Sequence, residues 1–454
     1  MPSRRAFLAT SLAAGILPVA AAAQQSPELR LLWDVTGGAT TEAEAALAAI
    51  EVGKRSDMAA GLILALRFVP ERQAQITQTL RALTGETAAN DWFDWMLWQE
   101  KHPEFEPHPS FIDFMRDLYL RIDPEFDRFL RPEDLTRARA KIRAEEITWG
   151  GVVKDGIPSL DNPTLIPASK AGYLRDDDLV FGVAINGDVR AYPLRIMGWH
   201  EMFNEVIGGV PVALAYCTLC GSGILYETKV QGRAKPFVFG SSGFLYRSNK
   251  LMFDRATLSL WNQFTGKPVT GKLADSGIEL VQRPVVISRW DDWRNANPET
   301  QVLALETGFR RDYGSGVVYQ DYFASEDLMF PAVSDQTRQK QKAYVFGIRR
   351  FGAAKAWPLS AFAKTPVIND SVADFPVVVL GDADSRSARA YERGGLTFAL
   401  KAGQVISSDG AVWQRGEEAL LAADGRSLPR VAGHVAYWFA WNGYLGDGAE
   451  LYQD

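Results

Sequence analysis

Apolar residues between about residue 40 and residue 142 recur at three- and four-residue steps, which is the pattern of amphipathic helices. Ala43, Ala46 and Leu47 illustrate this spacing, and Gly and Pro residues separate the successive segments. The pattern predicts four to six short helices packed as hairpins, within an N-terminal helical domain at 24–146.

After Trp149 the pattern changes to short apolar runs broken by glycine, which is typical of a β-rich region. Two alternating runs within 180–194 meet at Asn186-Gly187. This residue pair tolerates the positive φ angles of a type I′ turn, so the pattern predicts a β-hairpin there.

The β-rich pattern occurs twice. The run from Val180 to Val183 matches Val345 to Ile348 at an offset of 165 residues, and the same offset relates later pairs: Asn204 to Asn369, Pro211 to Pro376 and Tyr226 to Tyr391. We interpret this as an internal duplication; the alternative is a chance similarity of two amphipathic hairpins. The predicted fold is an α+β multidomain chain, in which the helical domain precedes two related β-rich units, barrel or sandwich-like, at 147–340 and, in shortened form, 341–454.

The amino-acid composition excludes several classes of partner and site. Hydrophobic residues make up 47% of the chain, and 49 basic residues face 55 acidic ones, a net charge of −6. This charge gives no electrostatic drive toward nucleic acid, so we expect no nucleic-acid partner. Only two cysteines occur, which excludes a disulfide-stapled scaffold and a four-cysteine zinc or iron–sulfur site.

The N-terminal residues 1–23 have the pattern of an export signal. Arg4-Arg5 precedes a short apolar run and small residues suited to cleavage, as in the twin-arginine signal. Its removal would leave 47 basic and 55 acidic groups, a net charge of −8. We expect a periplasmic or secreted protein with no membrane span after cleavage, whose partner is an unidentified small molecule or protein.

The candidate chemistry lies in the first β-rich unit. At the 165-residue offset the two cysteines and one histidine have no counterpart, because His200 falls on Thr365, Cys217 on Asp382 and Cys220 on Ser385. Residues shared by both units serve the scaffold, whereas residues present in one unit are free to serve a site.

A metal site is the favoured interpretation of the Cys-x-x-Cys turn, with copper preferred and zinc as the alternative. Its candidate ligands are Cys217, Cys220 and His200, with Met252 as a soft axial ligand. The plainer interpretation of Met252, which lies between Leu251 and Phe253, is core packing.

Two other interpretations of the cysteines stay open, and each belongs to a different class of protein. A thiol–disulfide oxidoreductase would use them as a redox pair, although Gly-Ser-Gly and a strand follow rather than a helix. A non-catalytic interaction module would not need them. A structural disulfide would close a ring of only four residues, worth about 1.9 kcal/mol, and Gly221 stands where c-type haem attachment needs histidine.

Polar residues near the turn are candidates for supporting the ligands through hydrogen bonds, since metal-bound imidazole and thiolate usually need such partners. These are Ser222, Tyr246, Asp254 and Arg255. Asp254-Arg255 would alternatively hold a substrate carboxylate or form a structural ion pair. No phosphate-binding glycine loop, GxSxG elbow or HExxH motif occurs, so nucleotide, serine-hydrolase and zincin functions have no support.

The motifs AYCTLCGS, FGSSGFLYRSNKLMFDRATLSLWNQFTG and YWFAW, over roughly 150–450, resemble an exported bacterial and archaeal family, domain of unknown function 3179. The family's central motif looks like YCPLCGS, so Thr218 departs at the position that usually holds proline. The remaining motif positions match as they stand: His200, Asn204, Cys217, Cys220, Ser222, Gly243, Tyr246, Asp254, Arg255, Ser259 and Trp261. The resemblance implies where the site lies and implies no activity.

Overall fold

The computed structural model describes residues 26–453, so the predicted signal at 1–23 lies outside the described residues. The first part of the described chain is helical: α1 Pro27–Gly37, α2 Thr40–Val52, α3 Ala59–Leu66, α4 Gln73–Thr84, α5 Trp92–Lys101, α6 Ser110–Leu120 and α7 Pro132–Leu135. Six of these α-helices lie in the stretch where the apolar spacing predicts four to six, and α1 precedes it.

Local capping fixes where helices begin. The hydroxyl of Ser26 accepts a hydrogen bond from the backbone nitrogen of Leu29 at 3.1 Å and starts α1. The carboxylate of Asp91 accepts one from the nitrogen of Asp94 at 3.0 Å and starts α5. Both bonds satisfy backbone donors that a helix leaves free in its first turn.

The second part is β-rich: β1 Ile147–Trp149, β2 Leu160–Asp161, β3 Leu165–Pro167, β4 Leu179–Ile185, β5 Asp188–Pro193, α8 Leu194–His200, β6 Met202–Ile207, β7 Val210–Cys217, β8 Ser222–Glu227, β9 Phe239–Tyr246, β10 Asn249–Asp254, β11 Leu260–Asn262, β12 Lys267–Pro268, β13 Gln282–Arg283, β14 Val286–Arg289, α9 Trp290–Ala296, β15 Gln301–Leu303 and α10 Gln320–Ala324. The predicted hairpin is confirmed, because β4 pairs antiparallel with β5 and both Asn186 and Gly187 take positive φ angles.

The last part contains β16 Tyr344–Arg350, β17 Ala353–Pro358, β18 Val367–Val372, β19 Phe375–Asp382, β20 Ser387–Glu392, β21 Phe398–Lys401, β22 Gln404–Ser407, β23 Val412–Arg415, β24 Ala419–Ala422, β25 Ser427–Val431, β26 His434–Tyr437, α11 Trp438–Leu445 and β27 Glu450–Leu451. Irregular chain from residue 304 to residue 343, which includes α10, links β15 to β16; we call it the strap.

Two sheets have the same strand arrangement. One has the order β14-β4-β5-β15-β3 and the other β26-β16-β17-β27, and in each the first three strands are antiparallel and the fourth is parallel to the third. Gly182 on β4 and Gly347 on β16 each lie against a tryptophan ring, those of Trp293 and Trp441. A Cβ at either glycine would lie within 2.2 Å of the ring.

The remaining strands of the last part form one eight-stranded sheet, β18-β19-β20-β25-β24-β23-β22-β21, which curls into a nearly closed barrel. The Asn369 side chain joins its two ends by bonding to both backbone groups of Phe398. In the preceding β-rich part, two five-stranded sheets, β13-β8-β7-β6-β2 and β1-β9-β10-β11-β12, are joined by the same amide contact between Asn204 and Phe239.

The helical region shares a core with the β9–β10 hairpin. Phe244 and Phe253 pack among the buried helical side chains, and the ring of Phe244 lies 4.5 Å from that of Phe126. On β10, Lys250 contacts Glu201 instead. The hairpin therefore connects the helices with the cysteine-containing turn described next.

Candidate functional site

Both cysteines lie in the turn between β7 and β8. The amide of Cys220 donates to the carbonyl of Cys217 at 3.2 Å, and the two Sγ atoms are 2.7 Å apart. Both residues are buried, Cys217 at 2% and Cys220 at 0% exposure. Gly221 closes the turn with a φ of +59°, and a Cβ there would lie 2.9 Å from the Tyr344 ring. The turn therefore requires glycine at this position.

Thr218, between the cysteines, is tied to a buried carboxylate. Its hydroxyl donates to Oε1 of Glu201 at 2.7 Å. Oε2 of Glu201 lies 3.2 Å from Nζ of Lys250, and the two side chains are only 8% and 4% exposed. The Thr218 hydrogen bond thus anchors the turn to this buried ion pair.

The turn is covered on its outer side by the strap. The hydroxyl of Tyr322 donates to the carbonyl of Leu219 at 2.6 Å, and the amide of Tyr437 on β26 donates to the carbonyl of Cys220 at 2.8 Å. Sγ of Cys220 lies 3.4 Å from the carbonyl oxygen of Ser248. Burial, together with the adjacent Cys217, raises the pKa of the Cys220 thiol well above its usual range. The Cys220 thiol is therefore protonated at neutral pH while the turn stays covered.

His200 ends α8, and both of its ring nitrogens have partners. Nδ1 lies 2.9 Å from the carbonyl oxygen of Pro158, and Nε2 lies 2.6 Å from the hydroxyl of Tyr313 in the strap. Burial lowers the pKa of His200, so the ring is neutral. A neutral ring that donates to Pro158 through Nδ1 must accept from Tyr313 at Nε2. The structure thus gives His200 a role in holding the strap.

Met252 lies on β10 and belongs to the same buried apolar cluster as the two cysteines. Among residues 26–453, no group of three or more His, Cys, Asp or Glu side chains is placed to hold a metal ion. The predicted ligands are thus divided between a cysteine pair with Met252 in one cluster and a histidine engaged elsewhere.

The four predicted supporting residues have separate partners. Asp254 accepts hydrogen bonds from the Trp261 indole at 3.0 Å and from Thr257, which shapes the turn after β10. Arg255 pairs with Asp155 at 3.0 Å. The remaining two lie elsewhere in the sheets: Tyr246 at the end of β9, with its carbonyl bonded by Tyr444, and Ser222, with Oγ 3.5 Å from Gln263.

Sequence reasoning missed the residues closest to the turn. One sequence feature pointed to Lys250: its charge directly precedes the continuous apolar run LMF, whereas an exposed strand would alternate apolar and polar residues. No such feature pointed to Glu201 or Tyr322, because their contacts with the turn span 17 and about 100 residues of sequence.

A family model for a protein of unknown function, DUF3179, matches residues 154–448. The chain belongs to this family. The match begins in the first β-rich unit, so it includes the cysteine turn, the strap and the barrel but not α1–α7. No curated protein and no solved structure matches the chain. Membership in the DUF3179 family agrees with the resemblance that the motifs indicate.

The helices of the described region are too short or too polar to cross a membrane.

Proposed function

We propose that Cys217 and Cys220 form a two-electron thiol–disulfide redox centre. The observation that carries this proposal is the direct contact of the two sulfur atoms, 2.7 Å apart in a buried turn. Two thiols held in contact need almost no rearrangement to form a bond. His200, the candidate third ligand of a metal site, has both nitrogens engaged with Pro158 and Tyr313.

The β19–β20 turn supports the view that this contact is built into the backbone. At the 165-residue offset it holds Asp382 and Ser385, and the serine hydroxyl donates to the carboxylate at 2.7 Å. Arg386 takes a φ of +55° there, close to the +59° of Gly221. A turn of this shape therefore brings its first and fourth side chains together, and in one case those side chains are thiols.

The proposed reaction is exchange with an external disulfide. Cys217 and Cys220 lose two electrons and two protons as their sulfurs become bonded, and the external disulfide gains both as its bond breaks and two free thiols leave. In the reverse direction an external dithiol reduces the pair. Atoms and electrons balance in this exchange, which needs no metal or organic cofactor.

Access controls this reaction. A thiolate attacks a disulfide, and burial disfavours the thiolate of Cys220. Tyr322 of the strap bonds to the turn, and Leu328 and Phe330 of the strap pack in the same buried cluster as the two cysteines. Exchange therefore requires displacement of the strap, which would both admit the partner and expose the thiols to water.

The test is a redox titration of the purified protein lacking residues 1–23. The protein is equilibrated in buffers of reduced and oxidised dithiothreitol, unfolded under acid, and alkylated for mass spectrometry. We expect one two-electron transition between a dithiol and an intramolecular disulfide. Met252→Leu is the matched control and should titrate as the parent does, whereas Cys217→Ser should form no intramolecular disulfide.

The second candidate function is a copper site on the same two thiols, and it predicts a different experimental result. Met252 favours it, since a thioether in the same buried cluster adds a third soft donor suited to Cu(I). This candidate predicts stoichiometric copper in the purified protein and its loss in Cys217→Ser. It also predicts thiols that alkylate only after a Cu(I) chelator is added. These results together would favour the copper site over the redox proposal. Zinc is the weaker form of this candidate, because it prefers four ligands.

We also infer that one ancestral unit has been duplicated to give the two β-rich units. Three observations support this duplication: the constant 165-residue offset, the shared strand order of the two sheets that begin with β14 and β26, and the matching contacts of Asn204 and Asn369. A duplicated scaffold explains why the chain keeps a second turn that carries no cysteine.

We further propose export by the twin-arginine route, on the sequence pattern around Arg4 and Arg5. An oxidising compartment is where a disulfide persists, which suits the redox proposal. Replacing both arginines by lysine should retain the full-length precursor in the cytoplasmic fraction; unchanged periplasmic recovery would contradict this route.

A further inference from the structure

The barrel of β18–β25 contains an open cavity of about 740 Å³, well separated in sequence from the cysteine turn. Its lining is mixed, with Leu380, Leu400, Val405 and Trp413 among the apolar contributors and Gln404, Gln414 and Arg415 among the polar ones. Ligand sites of this size hold small molecules, and they combine apolar walls with a few polar groups.

The lining leaves apolar surface in water. Leu400, which is 47% exposed, and Val405, which is half-buried, line the cavity on the same strand face as Trp413. A molecule that covered them would gain about 25 cal/mol for each Å² of apolar area removed from water. The cavity therefore favours an occupant with an apolar body.

The charges on the barrel strands favour an anion. Arg389 acts electrostatically on both Arg415 and Arg430, and Glu417 pairs with Arg389 at 2.7 Å and also with Arg430. Asp292 adds one more negative charge to this cluster. Three positive and two negative groups leave an excess of one positive charge.

Arg415 is the group that carries this excess. It lines the cavity, and within residues 26–453 it forms no ion pair, whereas Glu417 is already shared by the other two arginines. The repulsion from Arg389 lowers the pKa of Arg415, although Glu417 and Asp292 act in the opposite direction. Arg415 is exposed, so its guanidinium can reach an anion in the cavity.

We propose that this barrel binds an organic anion, with the apolar body against Leu380, Leu400 and Trp413 and the carboxylate on Arg415. The ligand class is a medium-chain carboxylic acid or a similar amphipathic monoanion. A guanidinium binds a carboxylate through two parallel hydrogen bonds, which fixes the orientation of the ligand. This site is independent of the redox proposal, because no cysteine takes part.

Titration calorimetry on the full chain without residues 1–23 tests the proposal, with decanoate as the anionic probe and 1-decanol as its neutral counterpart. Decanoate should bind saturably, and Arg415→Gln should weaken it about tenfold. Arg393→Gln is the matched control: Arg393 follows β20 in the same barrel, outside the cavity lining, and its guanidinium donates to the carbonyls of Asp370 and Leu396. It should leave the affinity unchanged, and 1-decanol should bind the parent and both variants equally.

A second variant tests the cavity itself. Val405→Trp places a large ring in the lining and should abolish binding of both probes, while thermal unfolding checks that the barrel is intact. Three results would each overturn the proposal: no saturable decanoate binding to the parent, equal affinity in Arg415→Gln, or an equal loss in Arg393→Gln.

Discussion

Tyr322 donates its hydroxyl hydrogen to the carbonyl oxygen of Leu219, 2.6 Å away, and so fastens the strap to the turn between the two cysteines. The residues are 103 positions apart in sequence, and both are buried. Closure of the site thus depends on a tertiary contact that one substitution can remove.

Tyr322→Phe should make the reduced cysteines react faster with iodoacetamide, by roughly fivefold, because losing a hydrogen bond of about 1 kcal/mol lets the strap open more often. Mass spectrometry of timed samples measures the rate. Tyr391→Phe is the control, since its hydroxyl makes the same kind of bond to Gly416 in the barrel. Equal rates in Tyr322→Phe and the parent would mean that the strap does not control access.

Lys250→Met should lower the free energy of unfolding by about 3–5 kcal/mol, because it leaves the carboxylate of Glu201 buried without its cation. Adding Glu201→Gln to this variant should recover most of the loss. Urea unfolding measures both. Lys267→Met is the control, since its pair with Glu279 is half exposed and should contribute less than about 1 kcal/mol. Additive losses in the double variant would contradict the pairing.

His200→Ala distinguishes a ligand from a strap anchor. As an anchor, it should lower the free energy of unfolding by about 1–3 kcal/mol, because the Pro158 carbonyl and the Tyr313 hydroxyl lose their partner. Metal content, measured on the same sample, should not change. Tyr313→Phe should give a similar loss of stability. If metal content falls sharply while the apo-protein's melting temperature stays the same, His200 is a ligand.

Gly182→Ala and Gly347→Ala should each cost about 1–3 kcal/mol, since the new methyl group would overlap the ring of Trp293 or Trp441. Similar costs are expected because the two contacts are alike. Gly172→Ala, which meets no atom within 4 Å, should change stability by less than about 0.5 kcal/mol. Thermal unfolding of the three variants provides the comparison, and a tolerated change at Gly347 alone would break the parallel between the units.

Glu100 should make stability depend on pH. Burial raises the pKa of this carboxyl to about 7, against the nearby positive charge of Arg247. The folded protein therefore holds a proton that the unfolded chain releases above about pH 4.5, so stability should fall as pH rises from 4.5 to 7 and then level off. Glu100→Gln should remove this fall, on the order of 3 kcal/mol at pH 8. Exposed Glu106→Gln should leave the pH profile unchanged, and a parent profile flat between pH 4.5 and 7 would contradict the assignment.

Local sequence signals succeeded where the cause is local. The Asn186-Gly187 hairpin and the helices follow from residue spacing and turn chemistry, and the contact of Cys217 with Cys220 lies within four residues. The surroundings of the site could not be predicted, because Glu201 meets Lys250 across 49 residues and His200 meets Tyr313 across 113. Such contacts depend on how strands and strap come together, which periodicity does not encode.

The shared core of Phe126 with Phe244 has a consequence for any attempt to divide the chain. The change from helix to strand near residue 146 is a border in secondary structure, but the packing runs across it. A fragment that began at β1 would expose the aromatic face of the β9–β10 hairpin to water. Such a fragment would self-associate. The helices therefore permanently cover one face of the β9–β10 hairpin, and the opposite face of that hairpin supports the cysteine turn.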